Sequence, residues 1–156
     1  MTWLVKPPSI AEHATIELRH IIDVLQVDHA SLFLRDREHG RRPQCVAETG
    51  AALCDALPEH ATLVARVVST GRVQELEPAA GGGAALAMPL DRDGEAIGAL
   101  LVVSLRRSRR LGAADAQVIG RATETLVERI MPIAPPRAQS DRFTRVARAR
   151  PVRVRR

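Results

Sequence analysis

Aromatic residues are almost absent from this chain of 156 residues. Trp3, Phe33 and Phe143 are the only ones, tyrosine and asparagine do not occur, and Lys6 is the only lysine among 23 basic residues. The core is therefore expected to be aliphatic, and a pocket that stacks a nucleobase is disfavoured because stacking needs an aromatic face. An arginine-rich, lysine-poor composition is typical of GC-rich coding, so the number of arginines alone does not indicate a function.

Long apolar runs and cysteines are also scarce. No run approaches the roughly 18 apolar residues that are read as a membrane span. The apolar stretch at the N-terminus is short and ends at Pro7 and Pro8, which disfavours a signal peptide. Cys45 and Cys54 are too few for a disulfide framework. These features predict a cytoplasmic protein with reduced thiols.

The net charge of +5 is unevenly distributed along the chain. Residues 132–156 contain eight arginines and one acid, whereas residues 1–131 contain 15 bases and 17 acids. The chain therefore has a mildly acidic body and a strongly basic C-terminal segment, and the opposite charges of these two parts indicate separate roles. The length suits one domain with an extension, and we divide the chain into an N-terminal extension (1–9), a domain (10–131) and a tail (132–156).

The tail is rich in proline and arginine and has no apolar periodicity, which predicts disorder unless a partner is bound. Arginines at short spacing are typical of arms that bind nucleic acids. We therefore expect RNA or DNA, including ribosomal RNA, as the partner, through Arg137, Arg142, Arg145, Arg148, Arg150, Arg153, Arg155 and Arg156. Two alternatives stay open, namely an acidic protein and no partner. The alternation from Val152 to Arg155 would also suit strand addition to a partner's sheet edge.

The first half of the domain has the pattern of a helix, a strand pair and a second helix. Apolar residues recur every three or four positions from Ile10 to Leu25, and Ser9 is the expected N-cap. The segments ASLFLR (30–35) and CVAE (45–48) predict paired strands, while residues 49–57 are compatible with a short helical turn. The second helix is predicted to begin at Pro58 and to end at Gly71. Its apolar face consists of Leu63, Val64, Val67 and Val68.

The second half predicts three strands and a final helix. RVQEL (72–76) has the pattern of an edge strand, and Asp93-Gly94 joins strands 84–91 and 95–105 in a hairpin. The later strand is apolar on both faces, which predicts a central position. One face is expected to carry Ile97, Ala99, Leu101, Val103 and Leu105, and the other Leu100 and Val102.

The final helix is expected from Gly112, as N-cap, to the stop at Pro132. Asp115 is placed near the positive end of its dipole. Gly120 is unfavourable inside a helix and is predicted to mark close packing. The order α–β–β–α–β–β–β–α favours an α+β domain with an antiparallel sheet.

The segments VARVVSTGRVQEL, ALAMPL, the Asp-Gly turn, IGALLVVS and an Asp-containing final helix resemble a GAF domain over about residues 10–131. The resemblance implies a central antiparallel sheet of about five strands with the first and last helices packed together on one face. It implies a small-molecule pocket on the other face, covered by the middle loops and helix, and dimerisation through the terminal helices. Domains of this family serve mostly in sensing and dimerisation.

Two kinds of chemistry are considered for the domain. One branch of the family reduces free methionine sulfoxide with pocket cysteines, but Cys45 and Cys54 do not match the positions of those cysteines and are interpreted as buried structural thiols. His13, Glu17 and His20 share one side of the first helix, yet their spacing is not that of zinc enzymes, so a solvated polar stripe is preferred over a metal site. His29, His39 and His60 have no evident partners.

Other family functions lack their motifs. The cyclic-nucleotide motif requires asparagine, which this chain does not contain. Gly81-Gly82-Gly83 lacks the lysine and hydroxyl residue of a phosphate-binding loop, and a flexible connector is expected there.

From the sequence we therefore expect a non-enzymatic, dimeric regulatory, sensor or scaffolding module with no cofactor and no catalytic or metal-ligating residue. A small-molecule ligand of unknown identity is compatible with this expectation. One alternative is a ribosome- or nucleic-acid-associated protein that uses the fold only as a platform, and another is a small redox enzyme of the free methionine sulfoxide reductase type.

Overall fold

The computed structural model describes residues 9–36, 42–51, 58–77, 83–106 and 109–130. Their order is the predicted one. The elements are α1 (Ile10–Leu25), β1 (His29–Leu34), β2 (Gln44–Gly50), α2 (Pro58–Thr70), β3 (Gln74–Leu76), β4 (Ala84–Arg92), β5 (Glu95–Ser104) and α3 (Ala113–Ile130). The described helices include none with the length and apolar content that a membrane span requires.

The five strands form one antiparallel sheet in the order β2-β1-β5-β4-β3. The prediction of a central, doubly buried β5 is confirmed, since β5 pairs with β1 on one side and β4 on the other. β3 is shorter than predicted and forms one edge, and β2 forms the other edge. Residues 49 and 50, which are compatible with a helical turn in sequence, extend β2 instead.

Two apolar clusters cover the two faces of the sheet. On one face α1 and α3 pack side by side, and the cluster beneath them, named here the terminal-helix core, includes Leu18, Ile21, Leu32, Leu86, Leu100, Val102, Ile119 and Leu126. On the other face α2 covers a second cluster, named here the α2 core, of Leu63, Val64, Val67, Val68, Ala85, Ala87, Ala99, Leu101 and Val103. The helix arrangement expected from the resemblance is therefore confirmed.

Local sequence signals fix the ends of these elements. Ser9 caps α1 through a capping box, in which the Ser9 hydroxyl accepts from the Glu12 backbone N–H and the Glu12 carboxylate accepts from the Ser9 N–H. The Gly112 N–H donates to the Asp115 carboxylate at 2.8 Å, which also places that negative charge at the N-terminus of α3. At the tip of the last hairpin both Asp93 (φ 51°) and Gly94 (φ 79°) are left-handed, as a two-residue type I′ turn requires.

Arg109 joins the two terminal helices at one end of the domain. Its guanidinium donates to the Gln26 carbonyl, just after α1, and lies 3.3 Å from the Asp115 carboxylate in the first turn of α3. The cation thus sits at the negative end of one helix dipole while its partner acid sits at the positive end of the other.

Two residues, Ile97 in β5 and Leu105 just after it, do not follow the predicted alternation. Ile97 packs against the terminal-helix core rather than the α2 core. The register slips between Leu90 and Asp91, so that Ile97 has no cross-strand partner on β4 and the period of two is broken there. Leu105 follows the last residue of β5 and is exposed.

Two predictions about glycines are wrong. A Cβ at Gly120 would meet no described atom within 4 Å, so close packing does not explain that glycine. Gly83, expected in a flexible connector, is buried where a Cβ would overlap the backbone carbonyl of Ser104. A similar close approach occurs at Gly98, where a Cβ would overlap the carbonyl oxygen of Phe33.

Replacing Gly98 and Gly120 by alanine should change stability in opposite directions. Gly98→Ala forces β1 and β5 apart, and we expect a loss of about 1–3 kcal/mol, as for other overpacked cores. Gly120→Ala removes the backbone-entropy cost of glycine in a helix and should add about 0.5–1 kcal/mol.

Urea unfolding of the two variants beside the wild type measures both effects. Equal midpoints for both variants would contradict the close strand contact at Gly98.

Candidate functional site

The face of the sheet beside α2 carries a polar strip on β1. His29, Ser31 and Phe33 are opposite Val103, Leu101 and Ala99 of β5, which belong to the α2 core, so all six lie on the same face. α2 packs on β5, β4 and β3. The strip therefore lies beside α2, in the region where the resemblance predicts a small-molecule pocket.

His29 is held in one orientation. It is 3% exposed, and its Nδ1 lies 2.9 Å from the backbone carbonyl oxygen of Ala51, just beyond β2. Because a carbonyl oxygen only accepts, Nδ1 is the donor in this contact.

His60, in the first turn of α2, is 2% exposed, and its Nδ1 has no hydrogen-bond partner among the residues that the structure describes. Burial lowers the pKa of His60; Glu59 opposes this shift, and nearby His29 reinforces it. Ser31, 1% exposed, has a hydroxyl that likewise lacks a partner.

Cys45 and Glu48 lie on edge strand β2 beside the strip. A register shift between Leu32 and Phe33 brings Cys45 opposite Phe33 and Glu48 opposite Ser31, so both share the strip's face although they are three residues apart. The prediction of a buried thiol is wrong for Cys45, which is exposed because β2 is an edge strand. Partial burial and, secondarily, Glu48 raise the pKa of Cys45, which disfavours the nucleophilic thiolate. Cys54 lies outside the described residues.

Within the stripe of His13, Glu17 and His20, it is Glu17 that contacts α3. Glu17 forms an ion pair with Arg129 of α3, with Oε1 and Nη1 3.0 Å apart. Within the described ranges there is no group of three or more His, Cys, Asp and Glu side chains that could hold a metal ion.

The eight arginines predicted to bind a polyanion, Arg137 to Arg156, lie outside the described residues, as do His39, Gly81 and Gly82. The site residues that sequence reasoning missed are His29, Ser31 and His60. A signal for the first two was present, because polar residues alternate with apolar ones in the buried strand HASLFL.

Stability should fall as the pH is lowered through the titration range of histidine. Because burial lowers the pKa of His60, the unfolded chain binds the proton more tightly than the folded chain. The contribution of His60 is complete above the ordinary histidine pKa of about 6.5 and is lost progressively below it. Thermal unfolding between pH 5 and 8 measures this, and a His60→Gln variant should show a weaker pH dependence. An identical dependence in both proteins would contradict the assignment to His60.

Comparison with known proteins gives structural but no sequence-level matches. No protein-family model and no curated protein matches the chain. Among solved structures, the GAF domain of an Acinetobacter phosphoenolpyruvate-protein phosphotransferase is 18% identical with a TM-score of 0.64, over 80% of this chain and 85% of that one. The GAF domain of a putative sensor histidine kinase from Pseudomonas syringae pv. tomato is 16% identical with a TM-score of 0.57, over 90% and 82%.

An enzyme is also among the similar structures. Free methionine-R-sulfoxide reductase from Neisseria meningitidis, solved with its substrate, is 14% identical with a TM-score of 0.66, over 79% of this chain and 78% of that one. Identities at this level establish the fold, and the described part of the chain has the GAF fold.

Proposed function

We propose that this protein is a non-enzymatic regulatory or sensor module that acts as a homodimer and binds a polyanion through its arginine-rich tail. The observation that carries the regulatory part is the buried polar strip beside α2. Buried polar groups are nearly always paired, yet Ser31 Oγ and His60 Nδ1 have no partner within the described ranges, although both residues are buried beside the α2 core. A bound ligand would satisfy them. Similar structures come from a sensor kinase and a phosphotransferase, which supports a regulatory role.

The dimer is supported by apolar side chains on the outer face of α1. Ile16 is 61% exposed and Val24 50% exposed. They lie eight residues apart, on one stripe with His20, since residues at i, i+4 and i+8 share a helix face. The opposite face of α1 is already buried within the domain, because it packs on the terminal-helix core. We propose that the outer edges of helices 10–26 and 113–131 form the interface.

A redox enzyme is the second candidate, favoured by the likeness to free methionine-R-sulfoxide reductase. Against it, Cys45 is exposed on an edge strand and has a raised pKa. A third candidate is a nucleic-acid- or ribosome-associated protein that uses the fold only as a platform. It differs from the main proposal in that the polar strip beside α2 would bind no ligand. Cytoplasmic localisation remains a prediction from the scarcity of cysteine.

Charges on the outer face of α1 should dissociate the dimer. Ile16→Asp with Val24→Asp would bury two unpaired carboxylates at the interface, and at about 1.4 kcal/mol per tenfold we expect at least a tenfold weaker association. Light scattering measures the mass against the 17.0 kDa of one chain. Val73→Asp is the matched control, because Val73 is 42% exposed and belongs to neither terminal helix. A wild type that is monomeric at high micromolar concentration, or a control that dissociates equally, would contradict the proposed interface.

The tail should bind RNA and DNA without sequence preference. If up to eight phosphates are neutralised, the slope of log K against log salt approaches about −7 on duplex DNA and about −6 on single strands. Titration of unrelated oligonucleotides at several salt concentrations tests this with the full chain. Replacing the eight tail arginines by glutamine keeps the length and should abolish binding while leaving the melting temperature nearly unchanged. Undetectable binding at low salt would favour an acidic protein partner instead.

Removing both thiols should leave the protein's activity intact. We expect Cys45→Ser with Cys54→Ser to bind polyanions and to dimerise like the wild type. Assay of free methionine sulfoxide reduction with a thiol reductant should show no turnover by either protein. Turnover by the wild type that the double variant lacks would establish the redox alternative.

A further inference from the structure

The strand β3 lies at one edge of the sheet and, within the described ranges, pairs only with β4. Its residues alternate between the two faces. Leu76 is opposite Ala85 of the α2 core, whereas Glu75 is opposite Leu86 of the terminal-helix core. By the same alternation Glu77, just after β3, shares the face of Glu75. An edge strand presents backbone N–H and C=O groups with which an added strand can pair.

A cavity of about 300 Å³ lies on the α2 side of this edge. The apolar side chains of Leu63 and Leu76 line it, together with three polar residues of α2, Glu59, Thr62 and Arg66. Its one acid and one base balance in charge. This cavity, named here the α2 cavity, therefore suits an apolar side chain.

A second cavity, of about 240 Å³, lies on the other side of the same edge. Glu75 and Glu77 line it from β3, and Leu111 and Gly112 line it from the start of α3. Arg110 is the only base among its lining residues, so carboxylates outnumber guanidinium groups by two to one. Neither glutamate forms an ion pair with another described residue. This cavity, named here the acidic cavity, therefore favours a cationic side chain.

The two cavities together define the sequence of a strand that would fit the edge. An added strand directs successive side chains to opposite faces of the sheet, and pockets for alternate side chains give it specificity. On β3 the required pattern is basic, apolar, basic. The tail contains this pattern in Val152–Arg155, which reads VRVR. Residues 147–150 alternate in the same way with alanine, but β-branched valine has the higher strand propensity.

The register of such a strand matches the charges of the edge in either direction. With Val154 opposite Leu76, the flanking Arg153 and Arg155 are opposite Glu75 and Glu77 whether the added strand is parallel or antiparallel. Opposite charges directly across a strand pair are stabilising. The same glutamates would repel an acidic strand, which restricts the edge to basic partners.

The tail is long enough to reach this edge within one chain. Gly112 lines the acidic cavity, and α3 continues for 18 residues to Ile130, a length of about 27 Å. The 21 residues between Ile130 and Val152 span up to about 65 Å at about 3.1 Å per residue. A segment linked in this way has an effective concentration on the order of millimolar. The tail of the same chain is therefore favoured over that of a second copy.

We propose that Val152–Arg155 docks as an added strand on the outer edge of β3 of the same chain. Val154 enters the α2 cavity, and Arg153 and Arg155 enter the acidic cavity. Docking withholds two of the eight tail arginines from a polyanion, so the contact is autoinhibitory. The inference goes beyond the proposed function, because docking requires neither a polyanion nor a dimer.

Hydrogen exchange of the full chain, followed by mass spectrometry without nucleic acid, tests the docking. An added strand protects the backbone amides of residues 74–77. In Arg153→Glu with Arg155→Glu the ion pairs become repulsions, and we expect these amides to exchange at least about threefold faster. The amides of β5 should keep the wild-type rate, which shows that the domain is folded. Unchanged exchange at residues 74–77 would overturn the proposal.

Exchanging the charges between the two segments tests their direct contact. Glu75→Arg with Glu77→Arg should speed up exchange at residues 74–77 in the same way. Combining this pair with Arg153→Glu and Arg155→Glu restores opposite charges across the strands and should restore slow exchange. A combined variant that exchanges as fast as either pair alone would contradict the proposed register.

Two further variants separate strand docking from general attraction between a basic tail and an acidic body. Arg148→Glu with Arg150→Glu is the matched control, because it makes the same change in charge and should leave exchange near the wild-type rate. Val152→Ser with Val154→Ser keeps the charge and should release the strand. An equal effect of the control, or no effect of the valine variant, would overturn the assignment to Val152–Arg155.

The monomeric state identifies which chain supplies the strand. Protection of residues 74–77 should persist in Ile16→Asp with Val24→Asp and should not change on dilution to low micromolar concentration. Protection that is lost under these conditions would assign the strand to a second copy and overturn docking within one chain. Because nucleic acid is absent, failed docking leaves the polyanion proposal standing. Conversely, a protected edge in a protein that binds no oligonucleotide leaves the docking standing.

Discussion

The burial of β5 on both faces is the constraint on which the rest of the fold depends. Leu100 and Val102 enter the terminal-helix core, while Ala99, Leu101 and Val103 enter the α2 core. A strand that is apolar on both sides must be covered twice, so the chain places helices on each face of one sheet. β1 and β4 pair with β5 and leave β2 and β3 as the edges. The position of every other element follows from this requirement.

The contacts between α1 and α3 show which ends of the two helices lie together. Arg109 joins the end of α1 to the start of α3, and Glu17 pairs with Arg129 near the end of α3. The helices are therefore antiparallel, and Ser9 and Ile130 lie at the same end of the domain. His29 lies at the opposite end, next to Asp28, whose carboxylate accepts from the Leu105 N–H.

The functional face was harder to predict than the fold. His29, Ser31 and His60 are brought to the same side of the sheet only when β1 pairs with β5 and α2 packs on that face, and no spacing in the sequence connects positions 29 and 60. The cysteine prediction failed for a related reason, because whether a thiol on β2 is buried depends on that strand being an edge. The sequence showed that Glu17 shares a polar stripe of α1, but its pairing with Arg129 required the packing of α3 on α1.

The sequence by itself determined the elements of this protein, their order and most of their ends. Those features depend on interactions between residues close in the chain, such as the Ser9 capping box, the Asp93-Gly94 turn and the apolar alternation of β5. The tertiary structure determined the features that depend on contacts between backbone segments far apart in the sequence. A glycine is required at 98 by the carbonyl of Phe33 and is unexplained by packing at 120, although both residues look alike in sequence. Ile97 changes face because the pairing with β4 slips there. His29 and His60 lie on the same side of the sheet for the same reason, because packing between segments far apart in sequence is a property of the assembled sheet and not of any one segment.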